Sequence, residues 1–166
     1  GGGELIAKAV NHTTKPTVWD CTGGLGRDSF VLASLGLNVQ TFEQHPAVAC
    51  LLADGLERAL QDTEIQDIAR RITFRHGNAV ELMRELAAQS RPDIVYLDPM
   101  YPERQKSAAV KKEMAYFHSV VGAAQEEAKL LAAARAVAKK RVVVKRPRLG
   151  EYLNGEKPAY QYTGKS

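Results

Sequence analysis

Residues 17–29 read Thr-Val-Trp-Asp-Cys-Thr-Gly-Gly-Leu-Gly-Arg-Asp-Ser. The first five, Thr17–Cys21, are short, apolar and rich in strand-forming side chains, and read as a buried strand. Gly23 to Gly26 reads as a tight turn, and Asp28–Leu35 as a helix that Gly36 ends. A strand running through a glycine turn directly into a helix opens an α/β unit. In open sheets of this kind, ligands sit beyond the carboxyl ends of the strands.

The same alternation continues outward. Strands are expected at Asn38–Phe42, Ile72–Arg75, Ile94–Leu97 and Arg141–Lys145. Helices are expected at Ala47–Leu60, with Pro46 suited to its first turn, and at Ala79–Ala88. Two more, Lys111–Val121 and Gln125–Ala138, are expected to divide near Gly122. Continuous apolar strands joined by helical crossovers predict an α/β fold, a mostly parallel, Rossmann-like sheet with helices on both faces. With no repeat, low-complexity tract or linker, the whole of 1–166 is expected to form a single domain.

The composition is that of a globular chain: 45% hydrophobic and 25% charged over 166 residues. No apolar run approaches the roughly 18 residues of a membrane span, and no secretory signal is visible. Cys21 and Cys50 lack metal-like spacing, sit among apolar neighbours and read as free buried thiols, which suits a reducing, cytoplasmic setting. His12, His45, His76 and His118 show no ligand spacing, so no metal is expected. The net charge of +4 is mild support for a polyanionic partner.

Gly23, Gly24 and Gly26 let a ligand approach the backbone closely and permit unusual dihedrals. A dinucleotide loop would need G-x-G-x-x-G, but Gly24-Leu25-Gly26 is followed by Arg27, Asp28 and Ser29, which weakens a dehydrogenase reading. Asp20, just before the turn, suits a ligand bearing an ammonium group, as S-adenosylmethionine does, and opposes a pyrophosphate. Glu43, at the end of the second strand, is placed to accept hydrogen bonds from both hydroxyls of a ribose, whether of S-adenosylmethionine or of NAD. Asn78 offers a donor and an acceptor to an adenine edge, and is equally a good cap for the helix that begins at Ala79.

The most specific motif is Asp98-Pro99-Met100-Tyr101-Pro102, at the end of the fourth strand. The lone pair of a nucleobase amine is delocalised into the ring, so a methyltransferase must hold the amine in line with the donor and favour a pyramidal nitrogen. The Asp98 carboxylate and the Pro99 carbonyl are candidates for binding its two hydrogens. Tyr101 is a candidate for stacking on an unpaired base, a contact worth about 1–3 kcal/mol. Arg104, Lys106, Lys111, Lys112, Lys145 and Arg146 are candidate phosphate contacts at the same sheet edge, whereas Lys139 and Lys140 read as a solvated helix end.

These stretches together resemble the RsmJ-type family of 16S ribosomal RNA guanine-N2 methyltransferases. The similarity lies in Gly1–Val10, Asp20–Ala33 (DCTGGLGRDSFVLA), Tyr96–Met114 (YLDPMYPERQKSAAVKKEM), Val142–Pro147 and Tyr160–Ser166. It implies a class I methyltransferase fold, S-adenosylmethionine as cofactor, and 16S RNA or the small ribosomal subunit as partner. It also implies cofactor contacts at Arg27, Asp28, Glu43, Gln44, Asn78, Ala79 and Asp98. It further implies a portion preceding the glycine run and a last sheet strand following Ser166. Residue chemistry alone leaves open an N6-adenine or N4-cytosine methyltransferase, and a nucleoside-binding protein without catalysis.

Overall fold

The computed structural model describes residues 2–99 and 110–164. The chain begins with helix α1 (Gly2–Ala9) and a single 3-10 turn, then enters β1 (Val18–Asp20). The order continues as α2 (Arg27–Ser34), β2 (Val39–Glu43), α3 (Pro46–Gln61), α4 (Gln66–Ala69), β3 (Ile72–His76) and α5 (Ala79–Ala87). It ends with β4 (Ile94–Leu97), α6 (Val110–Val137), β5 (Arg141–Val144) and a second 3-10 turn at Leu153–Gly155.

The five strands form one sheet in the order β3-β2-β1-β4-β5, and every pairing is parallel. β1 is central: Val18 pairs with Val39 on one side and with Ile94 on the other. The chain therefore builds outward from β1 to β3, crosses back, and builds outward again through β4 and β5. The reversal falls between β1 and β4, and an open sheet binds its ligand beyond the carboxyl ends of the strands at such a switch.

Strand residues alternate between two apolar layers. Trp19, Phe42, Val95 and Leu97 pack on α5 and α6 through Leu82, Met83, Leu131 and Ala134. Val18, Val39, Ile94 and Tyr96 face Ile6, Val10, Leu32 and Ala33, from α1 and α2. Burial on both faces explains why the strands read as unbroken apolar runs. Trp19 and Phe42 meet edge to face with ring centroids 5.7 Å apart.

Local chemistry sets the helix starts. His45 accepts the Val48 N–H ahead of Pro46, and Asn78 accepts the Glu81 N–H at 3.1 Å. The expected strands and early helices lie within a residue or two of those observed. α1 and the four-residue α4 are additional, and of the two cysteines expected to be buried Cys21 is, whereas Cys50 lies on the exposed side of α3. The break expected near Gly122 is absent: α6 is one helix of 28 residues. A helical glycine is disfavoured by roughly 1 kcal/mol, and the packing of α6 on α5, β4 and β5 outweighs it. No helix among the described residues is long and apolar enough to cross a membrane.

Candidate active site

The glycine turn is held from below by Asp20, the last residue of β1. Its side chain is only 1% exposed. Oδ1 accepts the Thr22 N–H at 3.1 Å and the Thr22 hydroxyl at 3.3 Å, while Oδ2 accepts the Ser29 hydroxyl at 2.6 Å. Ser29 also shares a hydrogen bond with Thr41 of β2, at 2.8 Å. Asp20, whose charge suits an ammonium, directs its carboxylate at Thr22 and Ser29 and so ties the turn to α2, and through Ser29 to β2. The small, buried Ser29 and Thr41 leave it room to do so. Burial raises its pKa to about 6, against the opposing effect of the Ser29 and Thr22 hydrogen bonds.

The glycines let the turn lie across the tip of β2. The Gly23 N–H donates to the Phe42 carbonyl at 2.8 Å, and a Cβ at Gly23 would sit 2.8 Å from that same oxygen. Gly24 and Gly26 take φ values of 54° and 85°, in the left-handed region that side chains rarely occupy. The Gly24 N–H donates to Glu43 Oε1 at 2.8 Å, and the His45 N–H donates to Glu43 Oε2 at 2.8 Å. Glu43 therefore stands at the carboxyl end of β2 against the turn, with lone pairs remaining on both oxygens.

The tip of β3 joins the same rim. The Asn78 amide donates to Gln44 Oε1 at 3.4 Å, and the His76 ring lies 3.0 Å from the Gln44 carbonyl oxygen. Asn78 spends its own oxygen on capping α5, so its cap reading holds and its amide nitrogen is directed at Gln44. Ala79 is the first residue of α5. Arg27 is exposed at the start of α2.

On the other side of β1, Asp98 and Pro99 follow β4 directly and are partly buried. The Asp98 N–H donates to the Thr22 hydroxyl at 2.7 Å. The Asp28 carboxylate accepts the buried Tyr96 hydroxyl at 2.7 Å and pairs with Lys145 Nζ at 3.2 Å. Lys145 Nζ also lies 3.9 Å from Asp98 Oδ2. Burial raises the pKa of Asp98, Lys145 opposes that rise, and Asp28 adds to it. Burial, followed by the bond to Asp28, pushes the Tyr96 phenol upward, so it remains a donor. Arg146 Nε donates to the Glu151 carbonyl at 3.0 Å and shapes the turn after β5.

The structure thus brings Asp20, Gly23, Gly24, Gly26, Arg27, Asp28, Glu43, Gln44, Asn78, Ala79, Asp98, Pro99, Lys145 and Arg146 to one end of the sheet. Tyr101, Arg104 and Lys106 lie outside the described residues. Lys111 and Lys112 belong to the first turn of α6, where only the backbone is described. Lys145, expected on a phosphate, is directed at two carboxylates. Sequence reasoning missed Thr22, Ser29 and Tyr96. The one available signal was a single polar group inside the apolar run Ile94–Leu97.

Comparison with known proteins identifies the family. The family described as "Putative SAM-dependent methyltransferase" matches residues 1–166. A ribosomal RNA small subunit methyltransferase J from Neisseria gonorrhoeae is 74% identical over all of this chain and 67% of its own length. The protein of that name from Tolumonas auensis is 56% identical over the same shares. A crystal structure of a SAM-dependent methyltransferase from Neisseria gonorrhoeae superposes with a TM-score of 0.86 at 65% identity, covering 98% of this chain and 67% of that one. A glycopeptide N-methyltransferase bound to sinefungin, at 18% identity and a TM-score of 0.53, shares the fold alone; it covers 84% of this chain and 53% of that one.

Proposed function

This chain belongs to the SAM-dependent methyltransferase family, and from that premise we propose that it methylates the exocyclic N2 amine of a guanine in the 16S RNA of the small ribosomal subunit. The observation that carries the reading is the meeting of two half-sites at the switch between β1 and β4. One is the glycine turn with Glu43; the other is Asp98 with Pro99. In an open sheet of this order the ligand lies beyond the strand ends at that switch.

The residues fit the cofactor. A turn whose backbone lies so close to β2 that a Cβ at Gly23 would collide leaves its upper face to a ligand. Glu43 offers carboxylate oxygens at the place where a ribose would lie, and Gln44, Asn78 and Ala79 line the rim beyond it. S-adenosylmethionine supplies an electrophilic methyl group on a sulfonium. Asp98 accepts one hydrogen of the guanine amine and the Pro99 carbonyl accepts the other, which turns the nitrogen lone pair toward the donor. The methylated nitrogen is cationic and sheds its proton readily, so Asp98 acts as an acceptor and need not be a strong base. Tyr101 follows in sequence as the stacking partner for a base removed from its helix. Arg104, Lys106, Lys111, Lys112 and Arg146 are the proposed phosphate contacts. Ribosomal RNA as substrate places the protein in the cytoplasm.

The test is transfer of labelled methyl groups to undermethylated small subunits, free 16S RNA and DNA. Label on guanine N2 of the small-subunit RNA is the expected result, and label on adenine or cytosine overturns the guanine assignment. Asp98→Ala is expected to abolish transfer while the fold persists. Calorimetry is expected to detect S-adenosylhomocysteine and not NAD.

A further inference from the structure

Lys145 follows β5 directly, at the carboxyl end of the sheet. Its Nζ lies 3.2 and 3.3 Å from the two oxygens of Asp28, which begins α2, and 3.9 Å from Asp98 Oδ2, beyond β4. Two carboxylates from separate elements thus share one ammonium. The second oxygen of Asp28 is also fixed by the buried Tyr96 hydroxyl. The Asp28 side chain is 13% exposed, so it carries its charge in poor solvent and needs a counterion at close range. A lysine committed to two carboxylates at these distances has little charge left for phosphate, even though its stem is half exposed.

We propose that Lys145 is a positioning residue of the transfer site: its ammonium bridges Asp28 and Asp98, so that the two carboxylates stand side by side and Asp98 faces the guanine amine as an ionised acceptor. The proposal rests on the role given to Asp98 above. Among the described residues, the charges bearing on Asp98 are Asp28 from α2 and Lys145 and Arg146 from the end of β5. Tyr96 reaches the cluster from β4 as a neutral phenol, and Asp20 lies beneath it at the end of β1. Burial and Asp28 favour the protonated form of Asp98; Lys145 and Arg146 favour the carboxylate. Removing the ammonium therefore leaves Asp98 protonated to higher pH. A protonated carboxyl presents a hydrogen where the amine hydrogen should bind.

Two readouts test this. Carbon-13 NMR of the aspartate carboxyls follows Asp98 directly in wild type, Lys145→Met, Lys145→Arg and Asp28→Asn, with Asp98→Asn used for assignment. The Asp98 titration is expected to move to higher pH in Lys145→Met, to stay near wild type in Lys145→Arg, and to move to lower pH in Asp28→Asn. The acid limb of kcat against pH is expected to move the same way in each variant. Lys139→Met, the same charge change at the opposite end of the sheet, is expected to move neither. RNA affinity and its salt dependence are expected to be unchanged in Lys145→Met. An Asp98 titration that stays in place in Lys145→Met, or a lowered salt slope for RNA binding, overturns the proposal and makes Lys145 a phosphate contact. Wild-type protein that transfers no methyl group refutes the proposed function instead, and the carboxyl titrations still decide the role of Lys145.

Discussion

The backbone N–H of Asp98 donates to the hydroxyl of Thr22 over 2.7 Å. That one bond fastens the exit of β4 to the glycine turn after β1. Thr22 in turn donates to Asp20, so the proposed acceptor half of the site and the proposed cofactor half are referenced to the same buried carboxylate.

Replacing Thr22 with Val keeps the shape and deletes that link. The Asp98 N–H is left without its acceptor, which costs about 1–3 kcal/mol where it is buried. The larger consequence is loss of alignment, expected to lower kcat on the order of 100-fold with a much smaller change in KM. Thr22→Ser retains the hydroxyl and is expected to recover most of the rate. Steady-state kinetics with denaturation midpoints separates the two effects.

Gly23 and Gly55 make a contrasting pair. Alanine at Gly23 places a Cβ 2.8 Å from the Phe42 carbonyl and 2.7 Å from a Thr41 methyl, so the turn must shift. Gly23→Ala is expected to lose S-adenosylhomocysteine binding and to lower stability. Alanine at Gly55, within α3, meets nothing within 4 Å. Gly55→Ala is expected to raise stability by about 0.4–1 kcal/mol. Urea titration of both variants, with calorimetry, checks the pair.

Glu43 accepts one backbone N–H on each oxygen. Glu43→Gln sets an NH2 group against one of those donors. The expected result is a turn weakened by about 1–3 kcal/mol and a cofactor product bound at least tenfold more weakly, read by calorimetry. Unchanged affinity would remove Glu43 from the ribose site.

Asp20 gives a signed pH dependence. Its folded pKa, about 6, lies above the ordinary carboxyl value of 3.8 because the carboxyl is buried. The folded state therefore holds this proton more tightly than the unfolded chain. The resulting stability is full below about pH 4 and is lost as pH rises through about 6. At roughly 1.4 kcal/mol per pH unit the whole change is about 3 kcal/mol. Asp20→Asn cannot ionise, and its stability profile is expected to lack this component. Urea midpoints from pH 4 to 8 for both proteins measure the difference, and parallel profiles would refute it.

Much of this was legible in the chain. Apolar runs such as Ile94–Leu97 announce strands buried on both faces, and the glycine turn after β1 marks the ligand end of the sheet. Glu43 and Asp98 could be assigned to that end because Glu43 closes β2 and Asp98 directly follows β4. Partnerships were not legible. Lys145 and Asp28 are 117 positions apart, and only the assembled sheet brings them together. The charge of Asp20 suggests a ligand contact from sequence alone, whereas its bonds to Ser29, and through Ser29 to Thr41, depend on hydroxyls contributed by α2 and β2. Gly122 suggested a break because local propensity cannot register the packing that carries α6 through it.

The central position of β1 also fixes a sequence of events. Its neighbour β2 follows closely along the chain, whereas the bond between Thr22 and Asp98 spans 76 positions. During synthesis β1, β2 and β3 leave the ribosome first, with their own β-α-β crossovers, while the other edge of β1 waits for β4. Contacts that distant are slow to close. On the proposed function, the segment assigned to the methyl donor is therefore synthesised before the segment assigned to its use.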